Sequence, residues 1–184
     1  MFSTVAAFAM LWAAAFPAGD PISYEAAVAA DPVVMESTET PDGSTDALAE
    51  LTAEQAELMA RDPDWSAHAS LYHAGGGGAT GNDSLGCRPI AMRTIATDPR
   101  VIPRRTRVFI RETVGIRLPD GTVHDGYWYA SDTGGAIRGQ RVDLYTGHGR
   151  RSMDPVMRFN QRRLTITEAG RFDGCPPAWE TASN

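Results

Sequence analysis

Lysine is absent from this sequence: all seventeen basic residues among its 184 are arginine. Schiff-base catalysis and a Walker-type phosphate loop both need that amine, so both are excluded, even though Gly75 to Gly78 form a glycine run. Cysteine occurs twice and histidine four times, without the close spacing that metal sites use; no metal and no other cofactor is expected. Aromatic residues make up 8% of the chain and apolar residues 42%, enough for one modest core but not for two large ones. Those fractions also exclude a chain disordered throughout, a collagen and a multi-span membrane protein.

What charge there is falls unevenly. Met1 to Gly86 carries thirteen acidic residues against Arg61 alone, whereas Cys87 to Asn184 carries ten acidic residues and sixteen arginines. A basic half favours an anionic or polar polymer as partner, and nucleic acid and bacterial wall glycan both fit that description. The arginines lack interleaved aromatic residues, which argues against nucleic acid. The run Arg104, Arg105, Arg107 reads as solvated surface or as a contact for an anionic wall polymer.

Met1 to Ala18 is apolar apart from Ser3 and Thr4, and its uninterrupted run, Val5 to Pro17, is short for a membrane span. With small residues at Ala13 to Ala15 it reads as a secretory signal peptide; no basic residue precedes it, so a misplaced start or an uncleaved tether are the alternatives. Export to the periplasm or outer cell envelope is therefore expected. Cys87 and Cys175, an even count, suit a disulfide in that compartment, two buried thiols being the other reading. Residues 19–64 read as an acidic linker, most solvated over Asp31 to Thr45, with one amphipathic helix over about 45–61. In that helix Leu48, Leu51, Leu58 and Met59 fall at helical spacing, and Ser44 or Thr45 is the expected N-cap.

Beyond Asp64 the texture is β. Trp65–His73, Arg107–Glu112, Ile116–Leu118, Gly126–Asp132, Arg141–Tyr145 and Leu164–Thr167 are six short candidate strands, predicting a small closed barrel or sandwich over 65–168 and a tail over 169–184. The Gly75–Gly78 run is expected to end the first strand in a flexible loop, and Pro119-Asp120-Gly121 marks a turn. Alternation through Tyr127, Trp128 and Tyr129 sends Trp128 to the core and leaves Tyr129 available to a sugar ring. His68, His73, His124 and His148 are expected in loops or on the surface.

The segment with most chemistry is Ser131 to Tyr145, SDTGGAIRGQRVDLY. Gly134 and Gly135 permit close approach of a ligand or strand, and Asp132 and Asp143 stand eleven positions apart around the loop. Strand alternation puts Val142 and Leu144 on one face and Arg141, Asp143 and Tyr145 on the other, which makes a polar cleft. A loop cap and a surface charge are the alternative reading of the aspartates. The tripeptide Asp132-Thr133-Gly134 also occurs in aspartic proteases, but those need two facing copies, and here there is one.

DTGGAIRGQRVDLY resembles the signature of the 3D domain, named for three aspartates and found at the C-terminus of the membrane-bound lytic transglycosylase A family and in related cell-wall proteins. Upstream, TIATDPRVIP (Thr94 to Pro103) is similar to a second segment of that family, leading into a strand through Arg104, Arg105 and Thr106; Arg105 stands where the family has glycine. The resemblance covers about Ser70 to Gly147. It implies a double-psi β-barrel and non-hydrolytic cleavage of peptidoglycan glycan strands to 1,6-anhydro ends. The three aspartates would be Asp98, Asp132 and Asp143: Asp143 the general acid and base, Asp132 orienting the site and stabilising positive charge, and Asp98 a catalytic candidate whose Asp-Pro context favours holding a loop. Gly134, Gly135, Arg141, Tyr145 and Tyr129 are the expected substrate contacts. A barrel that binds glycan, or a cell-wall partner protein, without cutting is the alternative; the sequence leaves oligomeric state open.

Overall fold

The computed structural model describes residues 51–179, so the leader, the acidic linker up to residue 50 and the start of the expected helix lie outside the described residues. The elements are α1 (Ala53–Ala60), β1 (Trp65–Ala74), β2 (Gly78–Ala79), β3 (Thr94–Thr97), β4 (Thr106–Ile110), β5 (Tyr127–Asp132), β6 (Arg141–His148) and β7 (Arg163–Arg171), with 3-10 segments at Arg111–Thr113 and Arg150–Phe159. The strands form one mixed sheet in the order β2-β1-β6-β3-β5-β4-β7, and β1 pairs with β7 as well. Hydrogen bonding therefore runs in a ring through six strands, with β2 attached outside it. A ring satisfies the backbone groups that an open sheet leaves at its edges.

Alternate residues fill the inside of this ring: Ala67 and Ala69 of β1, Ile95 of β3, Val108 and Ile110 of β4, Trp128 and Ala130 of β5, Val142 and Leu144 of β6, Leu164 and Ile166 of β7. Trp128 is fully buried, and its indole Nε1 donates to Thr113 Oγ1 at 3.1 Å, so the one polar atom of the largest core side chain is satisfied. Val156 and Phe159 of the long 3-10 segment join the same core.

Several expectations change. β3 was not among the expected strands; all four of its residues are buried, so it lacks the period-2 signal of a half-exposed strand. Ile116–Leu118 is not a strand but an isolated bridge between Arg117 and Val123 around the Pro119-Asp120-Gly121 turn. The glycine run is not simply a loop, because Gly78 and Ala79 pair with His73 and Ala74. β7 runs to Arg171, past the boundary expected at 168. Arg105 holds the turn with φ at 67°, the left-handed geometry that the family's glycine would adopt freely, secured by its N–H to Ala130 O and its guanidinium to Gly174 O.

Among the described residues the helix covers Ala53–Ala60 and is capped by Thr52; the expected caps Ser44 and Thr45 lie outside them. Thr52 Oγ1 accepts from Gln55 N at 3.2 Å while Gln55 Oε1 accepts from Thr52 N at 2.8 Å, a reciprocal capping box. Leu58 docks with Phe109, Tyr127 and Tyr129, and Gln55 Nε2 donates to Asp125 O, so α1 is bound to the sheet.

His124, expected in a loop or on the surface, lies in a loop but is 1% exposed. Its ring stacks on Trp128 at 4.9 Å and meets Trp179 edge-on at 5.2 Å. Nε2 faces Met92 O and Nδ1 accepts from Gly126 N, a pairing that fits the neutral ring. Gly126 is obligatory beside it: φ is 87°, and a Cβ there would lie 2.5 Å from the Phe109 ring. Burial, reinforced by the Arg93 charge and opposed by the Met92 bond, pushes the His124 pKa down to about 3. Unfolding lets this histidine take a proton at its ordinary value, so its contribution to stability is complete above about pH 6.5 and is lost as pH falls toward 3. The urea midpoint is expected to drop steadily between pH 7 and pH 4, and His124→Gln to flatten that slope; parallel slopes in the two proteins would place the acid sensitivity elsewhere.

Candidate active site

The predicted aspartates meet on the outside of the ring. Ser70 of β1 pairs with Asp143 of β6, Asp143 pairs with Ala96 of β3, and Ala96 pairs with Asp132 of β5. Residues in register on neighbouring strands point to the same side, and the flanking residues Ala69, Val142, Leu144, Ile95 and Ala130 face the core. Ser70, Asp143, Ala96 and Asp132 thus form one outward row. The two carboxylates are separated by a single strand whose side chain is only a methyl group, with their Cα atoms about 9–10 Å apart.

A bulge creates this alignment. Ile95 opposes Ala130, but the next residue, Ala96, opposes Asp132, which leaves Ser131 as an extra residue in β5. In an unbroken strand Asp132 would alternate with Tyr129 onto the inner face; one inserted residue turns it outward. Asp132 is then held from three sides. Tyr72 OH donates to Oδ2 at 2.8 Å, and Ser84 N and Thr133 N donate to Oδ1 at 3.1 and 2.8 Å.

Asp143 is less encumbered. It is half-buried, and its Oδ1 is shielded from solvent without a hydrogen-bond partner. Burial raises its pKa above the ordinary carboxylate value, outweighing the opposing effects of the Ser70 hydroxyl and the Arg141 charge, and the Asp132 charge adds a last, smaller push upward. Arg141 is exposed and makes no ion pair with Asp143 among the described residues.

Asp98 does different work. It is 2% exposed, and both its oxygens grip the Arg100 guanidinium, at 3.0 and 2.7 Å. Oδ2 also accepts from Gly139 N at 2.8 Å. Hydrogen bonds from Arg100, then from the Gly139 and Arg100 backbone, hold its carboxyl well below the usual range. Asp98 thereby pins the loop between β5 and β6 from 41 residues away.

Tyr145 and Tyr72, paired across β6 and β1, form the adjacent row, with ring centroids 5.2 Å apart. The Tyr72 phenol is pushed well above its usual range by burial and by its carboxylate partner Asp132. Gly134 and Gly135 lie in the loop after Asp132: the first packs on Ile137, while the second faces open space. Tyr129 is on the outer face beside Thr94, where its ring packs against Phe172 at 5.3 Å in the cluster around Leu58 and Phe109 and also lines an open pocket with Arg93, Asp125 and Trp179, apart from the aspartate row. Sequence reasoning missed Tyr72, Ser84 and Ala96. β1 alternation marks His68, Ser70 and Tyr72 as sharing one face, but nothing local says that this face meets Asp132. The cysteines are joined: a disulfide links Cys87 to Cys175, tying the tail to the loop that carries Asp83 and Ser84.

The fold and site define a class, a ring-closed mixed sheet that presents two aspartates across one alanine on its outer face. Residues 93–156, roughly a third of the chain, match the family model of the 3D domain. Among solved structures the chain is similar to the lytic transglycosylase LtgG of Burkholderia pseudomallei, with 28% identity and a TM-score of 0.35 over 50% of this chain and 28% of that one. It is also similar to a membrane-bound lytic murein transglycosylase from Agrobacterium tumefaciens (26% identity, TM-score 0.34, 46% of this chain and 23% of that one). A third similar structure is E. coli MltA with bound chitohexaose (23% identity, TM-score 0.34, 51% and 30%). The chain spans less than a third of the length of each of these three. No curated protein matches.

Proposed function

We propose that this chain cleaves the glycan strands of peptidoglycan as a lytic transglycosylase, on a double-psi β-barrel built from the six-strand ring. The observation that carries the reading is the Asp143 carboxyl: one oxygen sheltered and unpartnered, its pKa raised, two strands from a second, firmly held carboxylate. A raised carboxyl in a polar row suits a proton donor. The match of residues 93–156 to the 3D domain supports the same reading.

The chemistry needs one such group. Hydrolytic glycosidases use two carboxyls, because a water must be activated or a covalent intermediate formed. Here Asp143 protonates the glycosidic oxygen as the C1–O bond breaks. The C6 hydroxyl oxygen of the muramic sugar then bonds to C1, and its proton returns to Asp143. No water is consumed, and the product carries a 1,6-anhydro ring. Asp132, fixed by Tyr72, Ser84 and Thr133, faces the positive charge that develops on the sugar ring. Mass spectrometry of sacculi incubated with the protein tests this: muropeptides lighter by one water than their hydrolysed forms are expected. Binding to sacculi without soluble product would favour a glycan-holding module instead.

Ala96 gives a separate handle, because its buried methyl group lies in register between the two aspartates. Ala96→Leu is expected to weaken cosedimentation with sacculi by about tenfold, since a branched side chain must displace Tyr72, Ile137 or Tyr145, which pack on Ala96 beside the carboxylates. An Ala96→Leu protein that is folded by circular dichroism and binds as before would move the glycan surface away from this row. Export of the chain fits the disulfide, which persists in oxidising compartments. No helix among the described residues is long and apolar enough to cross a membrane.

A further inference from the structure

Two residues along β1 and β6 from the Ser70–Asp143 pair stands a second outward pair, His68 with Arg141, and His68 is also in register with Arg163 of β7. Three basic side chains therefore form a row parallel to the carboxylate row, about 7 Å from it along the strands. Beside this row is an open pocket of about 380 Å³ lined by His68, Arg138, Gln140, Arg141 and Gln161. No acidic side chain lines it, and neither Arg138 nor Arg141 forms an ion pair among the described residues. Four arginines among the described residues are ion-paired, including Arg93 with Asp125 and Arg100 with Asp98, and neither of the pocket's arginines is among them.

The walls of the pocket are built rather than loose. Asp98 Oδ2 holds Gly139 N at 2.8 Å, fixing the loop that carries Arg138 and Gln140. Gln140 O accepts from His68 N at 3.0 Å, and Gln161 N donates to Ala69 O at 2.8 Å. Arg138 Nη1 donates to Gly134 O and Ile137 O, which sets its guanidinium over the same loop. Gln161 occupies the left-handed region, with φ at 61°, a geometry that costs energy for a residue with a side chain and is often found where a ligand is held.

We propose that this pocket binds a carboxylate of the peptide stem on the muramic sugar, so that the chain selects peptide-bearing strands. The proposal rests on the glycan-cleaving reading for its substrate and goes beyond it in naming a stem-recognition site. Two guanidinium groups free of ion pairs beside amide side chains match a carboxylate, and Arg141 stands two residues along β6 from Asp143, a spacing that suits the lactyl ether joining stem to sugar. In this arrangement the Asp98 carboxylate, remote from the reacting bond, acts by positioning the loop of the stem site.

The test compares intact sacculi with strands stripped of stems by an amidase, using the full chain, Arg138→Gln and the double variant Arg138→Gln/Arg141→Gln. Wild type is expected to release anhydro products faster from the peptide-bearing substrate. The double variant should lose about tenfold more on intact than on stripped strands, and Arg138→Gln alone, remote from Asp143, should show the same bias at smaller size. Equal losses on both substrates, or a wild type indifferent to the stems, would overturn the stem site while leaving cleavage standing. If wild type releases nothing from either substrate, cosedimentation decides: selective loss of intact sacculi by the variants keeps the stem site and removes the cleavage reading, and unselective binding removes the stem site too.

Discussion

Asp143→Asn is expected to lower release of anhydro-muropeptides from purified sacculi by at least about 100-fold, the low end of what a positioned general acid contributes. The same change should leave the protein folded, with a urea midpoint at pH 7 equal to or above that of wild type. Burial raises the folded-state pKa of Asp143 above its unfolded value, so its favourable contribution is greatest in acid and is lost as pH rises from the ordinary carboxylate value through the raised one. At neutral pH the ionised group is a burden on the fold, and asparagine removes the charge while keeping the shape. The pH profile carries a second signature. The basic limb of kcat/KM reports loss of the Asp143 proton and should stand above the ordinary carboxyl range. Asp132→Asn removes a like charge that supports the rise, so it should move that limb to lower pH. Undiminished release from Asp143→Asn would remove the assignment.

Cys87→Ala/Cys175→Ala is expected to cost about 4 kcal/mol of stability, measured as the shift in urea unfolding under identical oxidising conditions. The disulfide closes a loop with a sequence separation of 88, and long loops carry the larger entropic contribution in the chain model. It also secures the tail in place: Trp179, two-sided in its contacts, donates to Ala91 O at 3.0 Å and lies over the Arg93 guanidinium, with Arg93 3.6 Å from the ring centroid. Loss of the bond should therefore shift tryptophan fluorescence toward the red before global unfolding. The nearby loop holds Ser84, which donates to Asp132, so product release should fall by a smaller factor than with Asp143→Asn. A double variant as stable as wild type would show that the tail is held by packing alone.

The two predictions draw on different depths of the sequence. Alternation in Arg141–Tyr145 was enough to put Asp143 outward with Arg141 and Tyr145, and Val142 and Leu144 inward, because side chains on a strand have a period of two whatever the partner strand is. The same rule sent Trp128 to the core. It failed for β3, where long-range pairing buries both faces and erases the alternation; the burial of His124 lies beyond any local rule, because its ring packs against a tryptophan from the tail.

From the chain alone came the strand-rich character of the domain, the aspartates proposed to carry its chemistry, the pair of cysteines and the outward face of β6. These depend on residue type and local period, which act over a few positions. Only the tertiary structure decided that Asp132 and Asp143 flank one alanine, that Tyr72 and Ser84 hold the first of them, and that arginines form a row beside the second. Each of those facts depends on strand register, and a single extra residue at Ser131 is what turns Asp132 to the outer face. Register is fixed by the packing of the whole ring, and no local stretch of sequence contains that information.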